Sequence, residues 1–199
     1  MISLQLTDNF LTPEEYSEVQ ELCDSIHFHS AEEYADKYGD STSPDPKINF
    51  NWRGWHNCKR SDNLVDYLDN VTEKINDTFD CEVSRLEFFQ HPLENFPEYE
   101  ESPPQHIDAR FEFSGVFYLD NGDIGLGTTV GDQYVQWKPN RLITFDAYTP
   151  HNPQFGGIDR KVLTFFAYKK KGVLNMSEES GVDVKKIKEL DLTSFVLKD

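Results

Sequence analysis

PPQHIDARFEFSGVFYLD, residues 103–120, places a histidine and a carboxylate two positions apart at the mouth of an apolar run. In a strand, residues i and i+2 point to the same face. A strand beginning near Gln105 therefore projects His106 and Asp108 together. One metal ion held at about 2.0–2.2 Å by nitrogen and oxygen would satisfy both. The bland alternative is a surface hydrogen-bonded pair. Two ligands do not make a site, so the question is whether the rest of the chain supplies a third.

The best candidate is His151, in TFDAYTPHNPQF, just after the apolar stretch RLITFDA. Two neutral imidazoles and one carboxylate leave coordination positions open, the arrangement of non-haem Fe(II) sites. Arg160 follows nine residues later, across a segment containing Gly156 and Gly157. A hairpin of that length is expected to return the chain beside His151. Arg160 would then open the strand RKVLTFFAY, where a guanidinium can hold a carboxylate in bidentate fashion. A plain salt-bridge role for Arg160 is the competing reading.

Around this stretch the patterning is mainly β. VSRLEFF, FEFSGVFYL, YVQWK, RLITFDA and VLTFFAY are rich in β-branched and aromatic residues. DNGD at 120–123, KPN at 138–140 and NPQFGGID at 152–159 punctuate them. Short strands with evenly spaced turns predict a sandwich or barrel. Two helices precede them and are expected to pack outside it. The first spans 10–26, with Thr12 as N-cap, Pro13 at N1 and Glu15 completing a capping box. Its stripe is Tyr16, Val19, Leu22, Cys23 and Ile26. The second is expected between Ser61 and Phe79, capped by Ser61 or Asp62, with Leu64, Val65, Leu68, Val71, Ile75 and Phe79 inward. The fold class is α+β, mainly β, and no boundary divides the 199 residues.

Composition narrows the function. The chain has 36 Asp plus Glu against 19 Lys plus Arg, a formal net charge of −17. Nucleic-acid binding is not expected, because a phosphate backbone wants clustered Lys and Arg. No run approaches the roughly 20 apolar residues of a membrane span, and MISLQLTDNF is not a signal peptide. Three widely spaced cysteines, Cys23, Cys58 and Cys81, suit free thiols in a reducing cytoplasm.

His106-Ile-Asp108, then Tyr118-Leu119-Asp120, then His151 and Arg160, together resemble the Fe(II)- and 2-oxoglutarate-dependent dioxygenases. Within them the pattern is most similar to the prolyl 4-hydroxylase group. DNFLTPEEYSEVQELC resembles that group's N-terminal segment, so the similarity runs from about residue 8 to 168. The resemblance implies a double-stranded β-helix, a cupin-like jelly-roll. One domain would cover 1–199, with helical support over about 8–80, the barrel over about 82–169 and a tail over 170–199. It implies Fe(II) on His106, Asp108 and His151, with 2-oxoglutarate as co-substrate. Arg160 would pair with the distal carboxylate of 2-oxoglutarate, while Tyr118 and Thr164 would face it. O2 would be consumed, succinate and CO2 released, and a C–H bond hydroxylated, with ascorbate in support. A peptidyl proline is the first expected substrate. A free amino acid or other small metabolite is the alternative, and a non-catalytic metal- or ligand-binding jelly-roll the third reading.

The chain departs from the group's pattern in three places. The Gly-rich, Tyr-containing loop before HxD is here ENFPEYEESPPQ, without glycine. The GG-containing strand is DIGLGTTV, and the tryptophan common two past the threonine is Phe166. The first departure bears on prolyl specificity more than on iron. Further substrate candidates are Arg110, which continues the His106–Asp108 face, Tyr99 in the acidic loop 94–102, and Trp52 and Trp55, with Tyr38, around the segment KINFNWRGWHN. His27 and His29 form an HxH at the end of the first helix, where a C-terminal or surface role is expected. His56 and His91 are expected to be structural.

Overall fold

A computed structural model describes residues 4–38, 58–91, 105–108, 110–119, 127–154 and 160–170. The elements are β1 (Gln5–Asp8), α1 (Pro13–Ser25), α2 (Ala31–Tyr38), β2 (Lys59–Arg60), α3 (Asp69–Phe79), β3 (Cys81–His91), β4 (Phe113–Tyr118), β5 (Thr128–Val130), β6 (Gln133–Val135), β7 (Arg141–Asp146), β8 (His151–Pro153) and β9 (Arg160–Lys169). The strands form two sheets, one in the order β1-β7-β4-β9-β3-β2 and one in the order β6-β5-β8. Every pairing is antiparallel. An isolated bridge from His106 to His151 adds the HxD segment beside β8 in the smaller sheet. The chain thus moves repeatedly between the two sheets, as a double-stranded β-helix requires.

The larger sheet buries apolar side chains on both faces. Leu86, Phe88, Phe113, Phe117, Leu163 and Phe165 alternate onto one face and meet Val19, Cys23, Val71 and Ile75 of the helices. Phe89, Val116, Tyr118 and Val162 alternate onto the other and join Val130, Val135, Trp137, Ile143 and Phe145 inside the barrel. Gly115 sits at a crossing point on the helix side. A Cβ there would come within 2.0 Å of the Phe165 ring, so only hydrogen fits.

The first helix forms as its sequence dictates. Thr12 accepts a hydrogen bond from Glu15 N at 3.2 Å, and Glu15 Oε2 accepts from Thr12 N at 2.8 Å. Asn140, with φ 56 in the turn before β7, binds the entry to α1 twice: Leu11 N donates to its Oδ1 and its Nδ2 donates to Leu11 O.

The second helix is shorter than the sequence suggests and starts at Asp69 rather than at Ser61. Residues 61–64 run along β3 instead. Ser61 N donates to Phe88 O, Leu64 N donates to Leu86 O, and the side chains of Ser61 and Asn63 accept from Phe88 N and Leu86 N. Polar residues that look like helix caps are used here to satisfy a sheet edge. Leu64 and Leu68 still reach the core, so the apolar pattern holds although the conformation does not.

α2, β1 and β2 were not expected from the sequence. Nor was β8 as a strand, and β8 does not pair with β9. β8 bonds to β5 and β9 to β3 and β4, so the expected 151–160 hairpin is a crossing between sheets. The tail beyond 170, the loop 92–104, Trp52, Trp55, His56, Tyr99 and the side chain of Tyr38 lie outside the described residues.

Candidate active site

Two segments bring His106, Asp108 and His151 together: 105–108 and the stretch from Ala147 to His151. His106 exchanges both backbone hydrogen bonds with His151, each 2.9 Å, and Asp108 N donates to Ala147 O at 2.8 Å. The histidine rings lie 4.2 Å apart between centroids. His151 Nε2 is 3.3 Å from Asp108 Oδ2, and His106 Nε2 is 3.9 Å from Oδ1. One ligand atom from each of the three lies within 4.8 Å of the others.

The surroundings orient these groups. His151 Nδ1 is 2.9 Å from Thr149 O. A carbonyl can only accept, so Nδ1 carries the proton and Nε2 keeps its lone pair for a metal. Ser114 Oγ donates to Asp108 Oδ2 at 2.6 Å and fixes the carboxylate. Phe145 packs against the His151 ring at 4.6 Å. Burial pushes the His106 pKa down to about 4, and His151 pushes the same way against the opposing pull of Asp108. Burial works to raise the Asp108 pKa, but His151, His106 and Ser114 together outweigh it and leave it lowered. The site thus holds a neutral imidazole and an ionised carboxylate at neutral pH, the protonation states that metal ligation needs.

The same cavity continues past the histidines to Arg160. Its wall includes Phe89, His91, Ser114, Val116, Thr128, Phe145, Val162, Thr164 and Phe166. Arg160 is 3% exposed. Its Nη2 donates to Thr128 Oγ1 at 3.1 Å, and the Tyr118 hydroxyl donates to the same oxygen at 2.9 Å. Burial pushes the Tyr118 pKa up to about 12, opposed by Arg160. Two hydroxyls and a guanidinium at one end of a largely apolar cavity suit a carboxylate. The two imidazoles and Asp108 at the other end suit a divalent transition ion. The donor chemistry therefore fits both iron and 2-oxoglutarate.

The remaining expected residues separate clearly. Thr164 lines the cavity, with its hydroxyl donating to Glu87 O at 3.2 Å. Phe166 also lines it, with the Phe111 ring tilted against it at 5.0 Å. Arg110 does not continue the His106–Asp108 face. The chain turns there, with Phe111 N donating to Asp108 O, and Arg110 is exposed outside the described wall.

Three residues of the site were missed. Thr128 sits on a three-residue strand too short to show a period, but its position opposite Pro153 in the sheet brings it beneath Arg160. Ser114 is the polar member of an apolar strand, a signal that was present in FEFSGVF. His91, read as structural, lines the cavity directly opposite Arg160 in the β3–β9 ladder, with Cys58 Sγ 3.5 Å from its Nε2. Burial pushes its pKa well below the usual histidine range, and Arg160 adds to that.

No family model and no curated protein sequence matches this chain. Solved structures do match. An oxidoreductase of the 2OG-Fe(II) oxygenase family from Burkholderia pseudomallei superposes with a TM-score of 0.53 at 13% identity, over 82% of this chain and 83% of that one. A prolyl hydroxylase from Trichoplax adhaerens, in complex with a hypoxia inducible factor peptide fragment, gives 0.53 at 16% identity over 84% of each chain. The epimerase SnoN, in complex with Fe3+, alpha ketoglutarate and nogalamycin RO, gives 0.54 at 11% identity, over 90% of this chain and 87% of that one. The fold of this chain is that of the 2OG-Fe(II) oxygenases, prolyl hydroxylases among them.

Proposed function

We propose that the chain is an Fe(II)- and 2-oxoglutarate-dependent dioxygenase that hydroxylates a C–H bond, with a peptidyl proline as the first substrate to test. One observation carries this reading. His106, Asp108, His151 and the buried Arg160 open onto a single cavity, although they come from three separate stretches of chain. A metal-binding module has no need of a guanidinium at the far end of its site. An enzyme that must hold a dicarboxylate against the metal does.

When bound, iron and 2-oxoglutarate supply the O2-dependent oxidation, and the protein supplies position and dryness. His106 and His151 offer imidazole nitrogens, and Asp108 offers the carboxylate. The Thr149 carbonyl fixes the His151 tautomer, and Ser114 fixes the Asp108 rotamer. Arg160 would clamp the distal carboxylate, with Tyr118 and Thr128 completing the cradle and Thr164 on the adjoining wall. Phe89, Val116, Phe145 and Val162 keep bulk water out of the same space. Succinate and CO2 would be the co-products.

A small substrate is the second reading. It is supported by the SnoN complex, a structure of this fold that holds nogalamycin RO rather than a peptide. Phe166 on the cavity wall, with the tilted ring of Phe111 at 5.0 Å behind it, would suit either an apolar metabolite or a proline ring.

The first test is an anaerobic titration of 2-oxoglutarate into metal-loaded wild type, Asp108→Ala and Arg160→Ala. Saturable binding that requires metal and is lost in both variants is expected. No binding by folded, metal-loaded wild type would overturn the oxygenase reading. Succinate release is then measured with a proline-containing peptide panel and a metabolite panel. Stimulation by metabolites alone would remove the prolyl assignment and keep the chemistry.

A further inference from the structure

A second group of metal-ligating side chains lies outside the barrel, and the proposed reaction does not use it. His27, His29 and Glu33 each offer a ligand atom, all within 4.8 Å of one another. The backbone explains the convergence. α1 stops at Ser25, and Ile26 is already extended, with φ −78 and ψ 150. His29 then exchanges two backbone hydrogen bonds with Arg60, of 2.8 and 2.9 Å, which pins this segment against β2. Alternation along it turns Phe28 inward against Phe88 and leaves His27 and His29 on one outward face, with rings 4.7 Å apart.

Glu33 is brought to the same place by the start of α2. Ser30 and Glu33 form a capping box, with Ser30 N donating to Glu33 Oε2 at 2.7 Å and Glu33 N donating to Ser30 Oγ at 3.2 Å. A carboxylate retains further acceptor capacity when one oxygen is so used. His29 Nε2 lies 3.1 Å from Asp62 Oδ1, and Lys37 Nζ holds the same carboxylate at 2.7 Å. With its Nε2 proton donated to Asp62, His29 keeps the ligating lone pair on Nδ1. This is the carboxylate–histidine support found behind metal-bound imidazoles.

We propose that His27, His29 and Glu33 form a zinc-class binding site that ties the end of α1 to the start of α2. Two imidazoles and one carboxylate, with water in the fourth position, match tetrahedral zinc. Calcium and magnesium prefer all-oxygen shells. Zinc also outranks Fe(II) at nitrogen donors, and the barrel group has the same donor types, so zinc supplied alone is expected to fill both sites. The tie has a structural consequence. α2 carries Tyr34, whose hydroxyl donates to the buried Glu87 at 2.9 Å, so the tie would also hold α2 against β3.

The test is a zinc titration of the metal-stripped full chain against a chromophoric chelator at neutral pH. Wild type is expected to take up two equivalents. The His27→Gln/His29→Gln variant and, separately, the His106→Ala/Asp108→Ala/His151→Ala variant are each expected to take up one, and their combination none. Glu33→Gln in the His106→Ala/Asp108→Ala/His151→Ala background should weaken the remaining site at least about tenfold, the scale set by losing a group that ligates or orients. Equal uptake by wild type and the His27→Gln/His29→Gln variant would overturn the proposal. That comparison needs no barrel mutation, so it holds even if the triple variant does not fold. Zinc should also raise the melting temperature of the His106→Ala/Asp108→Ala/His151→Ala variant and leave that of the combined variant unchanged.

Discussion

Strands β3, β4 and β9 each present two faces, and the two are built for different ends. Toward the helices stand Leu86, Phe88, Phe113, Phe117, Leu163, Phe165 and Ala167, all buried and all apolar. Toward the barrel interior the same strands carry Glu87, Phe89, His91, Ser114, Tyr118, Arg160, Val162 and Thr164. Both faces share one set of ladder hydrogen bonds. The first face buries nothing that needs a partner, so its contribution goes to stability. The second buries a guanidinium, a carboxylate and hydroxyls, each of which costs stability unless a partner answers it. Glu87 shows how the protein meets that cost where no ligand is called for. It is fully buried, and it is bonded by Arg60, Arg85 and Tyr34, with the Arg60 guanidinium stacked 4.2 Å over the Tyr34 ring. Arg160 lies further along the same face beside the hydroxyls of Thr128 and Tyr118, in the cavity wall where a carboxylate of the co-substrate would fit.

The sharpest way to break this division is one substitution on each face. Asp108→Ala is expected to abolish 2-oxoglutarate turnover, measured as succinate, while cooperative thermal unfolding survives. Phe165→Ala should cost about 3–5 kcal/mol in a urea melt, the range for a large buried aromatic. Metal-dependent 2-oxoglutarate binding should persist wherever that variant is still folded. If Phe165→Ala loses binding while folded, or Asp108→Ala unfolds, the faces are not separable.

The thiols test whether both faces are equally dry. Cys23 and Cys81 lie on the helix side and Cys58 on the barrel side, and all three are buried. Burial pushes Cys58 and Cys23 up to about 12 and Cys81 up to about 11. At pH 8 the thiolate fraction of a group near 12 is about a thousandfold below that of a free thiol. Ellman's reagent should therefore titrate no cysteine until the protein is unfolded. Native labelling of Cys58 alone would mean that the barrel side opens to water.

A smaller effect is expected at Ser114, which touches Asp108 and is read as no ligand itself. Ser114→Ala should weaken metal binding by about 10–100-fold, the usual loss when a group orienting a ligand is removed, in a chelator competition. An unchanged affinity would mean that the backbone bond from Asp108 N to Ala147 O suffices to place the carboxylate.

What the sequence made legible follows the same division. The helix-side face was readable because alternation over β3, β4, β7 and β9 is long enough to show a period. The capping box of α1 was readable because all its partners lie within four residues. The triad and Arg160 were readable because HxD and the distal His–Arg pair are unusual residues at fixed spacing. Thr128 and β8 were not, since a three-residue strand carries no period and gains its meaning only from its neighbours in the sheet. The start of α3 was misread for a related reason. Ser61 looks like a cap, but its partner Phe88 is on β3, more than twenty residues away. His27 and His29 were seen without a carboxylate, because Glu33 arrives on a helix the sequence did not announce.

The smallest predicted effect lies furthest from the cavity, at the N-terminus of α1, and it checks that the surface there answers only to stability. Thr12→Ala should cost about 1 kcal/mol, as for loss of an N-cap oxygen, with 2-oxoglutarate binding unchanged. The partner residue adds a pH signature. The hydrogen bond from Lys74 at 2.6 Å, then the Thr12 backbone, hold the Glu15 carboxyl below its ordinary value of 4.5. The unfolded chain therefore binds that proton more readily than the folded one, and stability falls as pH drops. The contribution is fully present above the ordinary carboxylate range and is lost as pH falls through the lowered value. Glu15→Gln should accordingly reduce stability at neutral pH, and the difference from wild type should shrink toward zero in acid. A difference that stays constant with pH would assign the effect to the neutral geometry of the capping box, and Lys74 would drop out of the account.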